Sequence, residues 1–223
     1  MANLKEIRNR ITSIKSTMQI TSAMKMVSAA KLKKAQDAIT AMRPYSSKLT
    51  ELLQSLSATL DADAGSVYAT EREVKKVLLV SITSNRGLCG GFNSSIVKRT
   101  VRAINEKYKG TAVDLITLGK KGNDILSKEH TIIENNNQIF DDLTYDNVAK
   151  IAENLMELFV DGSYDKIELV YNRFKNAATQ IAQLEQFLPI IPIEVAVEND
   201  KKVNLDYLFE PSKEEIISEL IHK

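Results

Sequence analysis

Between Asn3 and about Leu60 the apolar residues recur on a seven-residue ruler. Leu4, Ile11, Met18, Leu32, Ile39 and Leu53 fall in one column and Ile7, Ile14, Ala35, Met42, Leu49 and Leu56 in the other. This is the a and d pattern of a coiled-coil seam. It predicts one long helix over residues 1–62, roughly 80 Å at ~1.5 Å per residue, which must protrude from a domain of ordinary size. Asn3 followed by Glu6 reads as a capping box. Pro44 should bend the helix without breaking it, because Met42, Leu49 and Leu56 keep the heptad phase across it. Asp61, Asp63 and Gly65 should end the element. The seam is interrupted where Thr21, Lys25 and Ser28 hold seam positions while Ile20, Met24 and Val27 carry apolar character on a rotated face. That interruption marks a surface for a partner other than a plain second helix.

From Val74 the period changes. Val77 to Ile82 is a short continuous apolar strand. A helix from about Ser94 to Lys107 follows, then a strand at Ala112 to Leu118, a short helix at Lys120 to Lys128 and a short strand at Thr131 to Glu134. Tyr145 to Val160 reads as a helix with Val148, Ile151, Ala152, Leu155 and Phe159 inward, and Ile167 to Tyr171 as a strand. Gln180 to Leu188 reads as an edge strand stopped by Pro189 and Pro192. Strands alternating with helices place residues 74–200 in the α/β class, as an open, mostly parallel, Rossmann-like sheet with helices on both faces. Residues 201–223 form a last segment, with a capping box from Ser212 to Glu215 opening a helix.

Composition adds limits to this picture. No run approaches the ~18 apolar residues of a membrane span, and no secretory signal opens the chain, so a cytosolic setting is expected. Cys89 is the single cysteine, which rules out an internal disulfide. The net charge of +1 hides an asymmetry: the first sixty residues carry ten Lys and Arg against Glu6, Asp37 and Glu51. The helix is a basic rod, and it calls for an acidic partner surface.

Candidate chemistry is sparse. The loop Ser84 to Asn93 joins the first strand to its helix, where open parallel sheets bind phosphates. Its glycines at Gly87, Gly90 and Gly91 match neither G-x-G-x-x-G nor G-x-x-x-x-G-K-[ST], and Asn93 or Ser94 capping the next helix is the plainer reading. A nucleotide-binding enzyme using Gly87 to Gly91 is the alternative reading, and a basic coiled-coil adaptor for nucleic acid is another. The adaptor is disfavoured because only Tyr45 could stack a base along the rod. Cys89 lacks a catalytic partner, and His130 and His222 give no metal-ligand spacing. No catalytic residue, cofactor or metal is expected. Met18 and Met42 suit seam filling, whereas Met24 and Met26 suit an adaptable contact.

Five stretches carry a resemblance: Leu4 to Ile11; Thr17 to Leu32 (TMQITSAMKMVSAAKL); Arg43-Pro44-Tyr45; Arg86 to Asn93 (RGLCGGFN); and Asp206 to Pro211 (DYLFEP). Together, in this order over the whole chain, they resemble the gamma subunits of F-type ATP synthases. The resemblance implies a central rotor shaft, with catalysis on alpha and beta subunits and no nucleotide bound by this chain. It implies contact of Met24, Lys25, Met26 and Val27 with the beta-subunit lever, and of Lys31, Lys33 and Lys34 with its acidic loop. Asp206, Tyr207, Leu208, Phe209 and Glu210 match the foot that meets the epsilon subunit and the c-ring. The expected place is peripheral, on the cytoplasmic face of a bacterial plasma membrane. The family's long C-terminal helix is not found in the sequence.

Overall fold

The computed structural model describes residues 3–57 and 67–191, and side chains as far as Leu52 in the first of these stretches. The chain divides into two compact units, Met1–Thr50 and Glu51–Lys223. The expected helix end at Asp61 to Gly65, the foot residues Asp206, Tyr207, Leu208, Phe209 and Glu210, and the Ser212 to Glu215 capping box lie outside the described residues.

Helix α1 runs unbroken over Leu4–Ser57 with Pro44 inside it. Asn3 caps it through Oδ1, which accepts from the Lys5 amide at 3.3 Å. Glu6 does not close a capping box. Its carboxylate accepts instead from Arg10 one turn on, at 2.8 Å. The β-branched threonines fit the helix because Thr12, Thr17, Thr21, Thr40 and Thr50 each donate to the carbonyl four residues earlier.

The second unit is an α/β sheet. Strands β1 (Lys76–Ile82), β2 (Ala112–Leu118), β3 (Ile132–Asn135), β4 (Lys166–Asn176) and β5 (Thr179–Leu188) stand in the order β3-β2-β1-β4-β5. All neighbours are parallel except β4 and β5. Helix α2 (Phe92–Arg102) crosses from β1 to β2, α3 (Lys120–Leu126) from β2 to β3, and α4 (Tyr145–Val160) returns from β3 to the far side of β1. The alternation within β1 sorts the two faces. Leu78 and Val80 pack with Leu155, Met156 and Phe159 of α4, while Val77 and Leu79 pack with Val97 of α2 and Leu126 of α3. Both faces are therefore covered, which is why β1 reads as an uninterrupted apolar run.

Three expectations need correction. Helix α2 begins at Phe92, two residues before the expected Ser94, and its last turn, Ala103–Lys107, is wound as a π-helix. On α4, Met156 is buried, whereas Val148, expected inward, is 46% exposed. The first turns of that helix lie beyond the core that its last turns cover. Strands β4 and β5 form a longer hairpin than Ile167 to Tyr171 suggested.

At the start of β1, Lys76 reaches Asp114 of β2 at 2.9 Å, and the Tyr164 hydroxyl donates to the same carboxylate at 2.9 Å. Burial pushes the Asp114 carboxyl up, but the hydrogen bonds from Lys76 and Tyr164 and the Lys76 charge outweigh it and hold it below its ordinary 3.8. A depressed carboxyl contributes stability that is present above its unfolded value and lost as pH falls through the folded one. Asp114→Asn should therefore flatten the decline in stability below about pH 4. Urea unfolding between pH 7 and pH 3 reads this, and an unchanged slope in the variant would show that the pair does not drive it.

Candidate functional site

At about 100° per residue, Ile20, Met24, Val27, Lys31 and Lys34 line one stripe of α1. Met24 is 60% exposed, and Ile20 and Val27 are comparably open. Lys25 does not belong to this stripe: it sits on the seam with Thr21, Ser28 and Leu32, roughly 120° round. Met26 and Lys33 occupy the third side. The seven expected contact residues thus divide over three faces, with Met24, Val27, Lys31 and Lys34 brought together and Lys25, Met26 and Lys33 set apart. Among the described residues Lys25, Lys31, Lys33 and Lys34 make no ion pair. No acid occurs between Glu6 and Asp37. The stripe therefore joins an apolar contact to an uncompensated positive field, suited to a surface bearing both carboxylates and apolar side chains.

The Ser84–Asn93 loop has a different use from the one its glycines suggested. Asn93 caps no helix. Its Oδ1 accepts from the Ser84 amide at 2.9 Å, and its Nδ2 donates to Ser84 Oγ at 2.9 Å and the Arg86 carbonyl at 3.3 Å. Asn85 ties the loop to its neighbours, accepting from the Lys120 amide at 2.9 Å and donating to the Asn137 carbonyl at 2.8 Å. At the start of α3 the Lys121 amide donates to the Ser84 carbonyl and the Gly122 amide to Thr83 Oγ1. Three amides at the start of α3 are thus satisfied by the protein. Gly119, at φ 110°, makes this approach possible, since a Cβ there would lie 2.2 Å from the Thr83 carbonyl oxygen. Cys89 is exposed, and among the described residues its Sγ meets the Asn93 amide and the Arg86 carbonyl, neither of which is a base. His130 is half-buried. Among the described residues no group of three His, Cys, Asp or Glu is placed to hold a metal ion.

One polar cluster escaped the sequence reading. Glu168 of β4 is 2% exposed and accepts from Lys107 at 2.6 Å, with Lys166 at 3.8 Å. The π-helical turn at Ala103–Lys107 delivers Lys107 to it. The Tyr108 hydroxyl lies beside the same carboxylate, and burial first, then Glu168, push that phenol far above its ordinary range. It stands outside hydrogen-bonding geometry, so Tyr108 Oη and Glu168 Oε2 are both buried without a partner. No periodicity announces this cluster, because Lys107 and Glu168 are 61 residues apart.

The chain thus combines a basic helix carrying exposed apolar residues with an α/β sheet whose strand-end loops are tied together. A family profile described as ATP synthase matches residues 3–223. The ATP synthase gamma chain of Flavobacterium johnsoniae is 66% identical over the whole of this chain and 77% of its own length, and that of Christiangramia forsetii is 63% identical with the same coverage. The chain belongs to the ATP synthase gamma-chain family. Among solved structures, the central stalk and c-ring of Tetrahymena thermophila mitochondrial ATP synthase contains a chain matching with TM-score 0.61 and 26% identity, over 91% of this chain and 86% of that one. A chain of the Euglena gracilis mitochondrial ATP synthase rotor matches in fold, with TM-score 0.52 and 23% identity, over 96% of this chain and 73% of that one.

Proposed function

We propose that the chain is the central rotor shaft of the F1 sector of an F-type ATP synthase. It couples rotation driven by transmembrane proton flow to ATP synthesis and hydrolysis on alpha and beta subunits, and contributes no catalytic residue of its own. The observation that carries the reading is the surface of α1, whose three faces differ in chemistry: an apolar and basic stripe, a seam, and a third side with Met26 and Lys33. As such a rod turns, a fixed ring of binding subunits meets a different face at each step, so identical sites are driven into unlike states. Met24 and Val27 can slide across apolar side chains with no hydrogen bond to break, and Lys31 and Lys34 supply a long-range pull on an acidic loop. Membership of the gamma-chain family supports the assignment, as does the likeness to the Tetrahymena central stalk.

In this reading the partners are the alpha, beta and epsilon subunits and the c-ring, with Asp206 to Glu210 as the foot. The chain lies peripherally on the cytoplasmic face of the bacterial membrane. No described helix is long and apolar enough to cross a bilayer.

Two measurements test the proposal. The chain should co-purify with alpha and beta subunits when all are expressed together, and its failure to do so would count heavily against the shaft role. In the assembled enzyme Met24→Lys puts a charge into the apolar stripe and should reduce ATP-driven proton pumping several-fold more than ATP hydrolysis, since about 1.4 kcal/mol of lost contact is tenfold in an equilibrium constant. Equal losses in both activities would reduce Met24 to a structural residue.

A further inference from the structure

Of the chain's six methionines, four stand on α1: Met18, Met24, Met26 and Met42. They are 60% to 66% exposed, whereas Met156, inside the core of the sheet unit, is 5% exposed. A thioether sulfur is soft and readily oxidised, so the split matters chemically. Exposure of the whole side chain does not rank the four. What lies over each sulfur does, and helix geometry says where to look.

Side chains on an α-helix lean toward its N-terminus, so a residue is overlaid by those three and four positions later. Met24 is followed at these positions by Val27 and Ser28, Met42 by Tyr45 and Ser46, and Met18 by Thr21 and Ser22. Met26 is followed by Ala29 and Ala30, which have no atom beyond Cβ to reach over it. The residues it leans across, Ser22 and Ala23, are as small. Its sulfur therefore stands above a floor of short side chains.

Position round the helix separates Met26 from the others as well. Met18 and Met42 belong to the seam and Met24 to the stripe of Ile20 and Val27, while Met26 shares the third side with Lys15 and Lys33 at about 100° per residue. A helix laid along the seam, or a surface pressed on the stripe, covers the other three sulfurs first.

We propose that Met26 is a modification site, oxidised to the sulfoxide by hydroperoxides ahead of Met18, Met24, Met42 and Met156. A lone pair on sulfur attacks one peroxide oxygen, and the S–O bond forms as the O–O bond breaks. The thioether gives up two electrons. The proton of the transferred oxygen passes to the departing hydroxide, which leaves as water. The product is a polar, chiral S=O group where the helix had presented an apolar one, and methionine sulfoxide reductases reverse it. The third side of α1 thereby becomes sensitive to oxidant. The inference concerns the chain itself and does not depend on the shaft reading, which co-purification tests separately.

The test is a time course of the full chain in hydrogen peroxide, read by peptide mass spectrometry as oxygen gained at each methionine. Trypsin, cutting after Lys25 and Lys31, isolates Met26 on a peptide of its own. Met26 should oxidise about twofold ahead of Met24, and Met156 should lag on the order of tenfold, since a buried sulfur reacts only when its surroundings open. Ala30→Leu sets a branched side chain over Met26 and should slow its oxidation about twofold, while Met24 and Met42 keep their rates. Leucine is a good helix former, and circular dichroism checks that the variant keeps its helix. Treatment with methionine sulfoxide reductases should return the Met26 peptide to its starting mass. The proposal is overturned by Met26 reacting no faster than Met24 or Met42, by Met156 reacting as fast as Met26, by an unchanged Met26 rate in Ala30→Leu, or by a sulfoxide that the reductases leave in place.

Discussion

Replacing Gly119 by alanine is expected to cost the sheet unit about 4 kcal/mol, from two sources acting together. Holding an L residue at that backbone conformation costs about 1–3 kcal/mol. Forcing a methyl group onto a well-packed neighbour adds about 1–3 kcal/mol, and here the neighbour is main chain: the new Cβ would lie 2.2 Å from the Thr83 carbonyl oxygen. Main chain cannot rotate away as a side chain would. Gly110 provides the control, since it also has positive φ, at 87°, but nothing lies within 4 Å of its missing Cβ. Gly110→Ala should carry only the conformational part. Urea denaturation of the two variants separates the contributions, and equal losses would mean that the contact with Thr83 is not what demands glycine at position 119.

Lys107→Met should cost about 3 kcal/mol, because truncating one partner strands the Glu168 carboxylate inside the protein. The figure is the low end for a buried pair. Lys107 is itself half-exposed, and Lys166 remains 3.8 Å from the carboxylate. The double variant Lys107→Met, Glu168→Leu should recover most of the loss, since an apolar pair at a buried site is often as stable as the ion pair it replaces. If the double variant is no better than Lys107→Met alone, the single loss reflects damage to the π-helical turn and not a stranded charge.

The parts of this fold that could be read from the sequence are those governed by local periodicity. The buried run of β1 and the full extent of α4 follow from apolar spacing, and so does the long helix, described from Leu4 to Ser57. Where reading failed, a distant residue had decided the outcome. Val148 has the right spacing for the core yet is 46% exposed, while Met156, four residues after Ala152 at the edge of the same stripe, is buried. Asn93 is a sound cap by residue type. It was claimed instead by Ser84 and Arg86, because the loop folds back on itself. The π-helical turn has no residue signature, and it makes sense only with Glu168 waiting on β4.

The candidate site divides along the same line. The stripe of Ile20, Met24 and Val27 is legible as an interruption of the heptads, and it lies exposed on α1 as the seam residues Ile11, Ile14 and Met18 do. That Lys25 falls on the seam and Met26 and Lys33 on a third side follows from 3.6 residues per turn, once the seven residues are treated as positions on a cylinder and not as a motif.

Pro44 has a mechanical consequence. Proline has no amide hydrogen, so the link from residue 44 back to Thr40 is missing from an otherwise continuous helix, while Thr40 spends its hydroxyl on Gln36. Bending and twisting stiffness of a helix come from those longitudinal links, and a rod yields first where one is absent. A load carried by α1 should therefore strain unevenly, with elastic deformation concentrated within a turn of Pro44 and the stretch bearing Met24 and Lys31 moving as a stiffer piece.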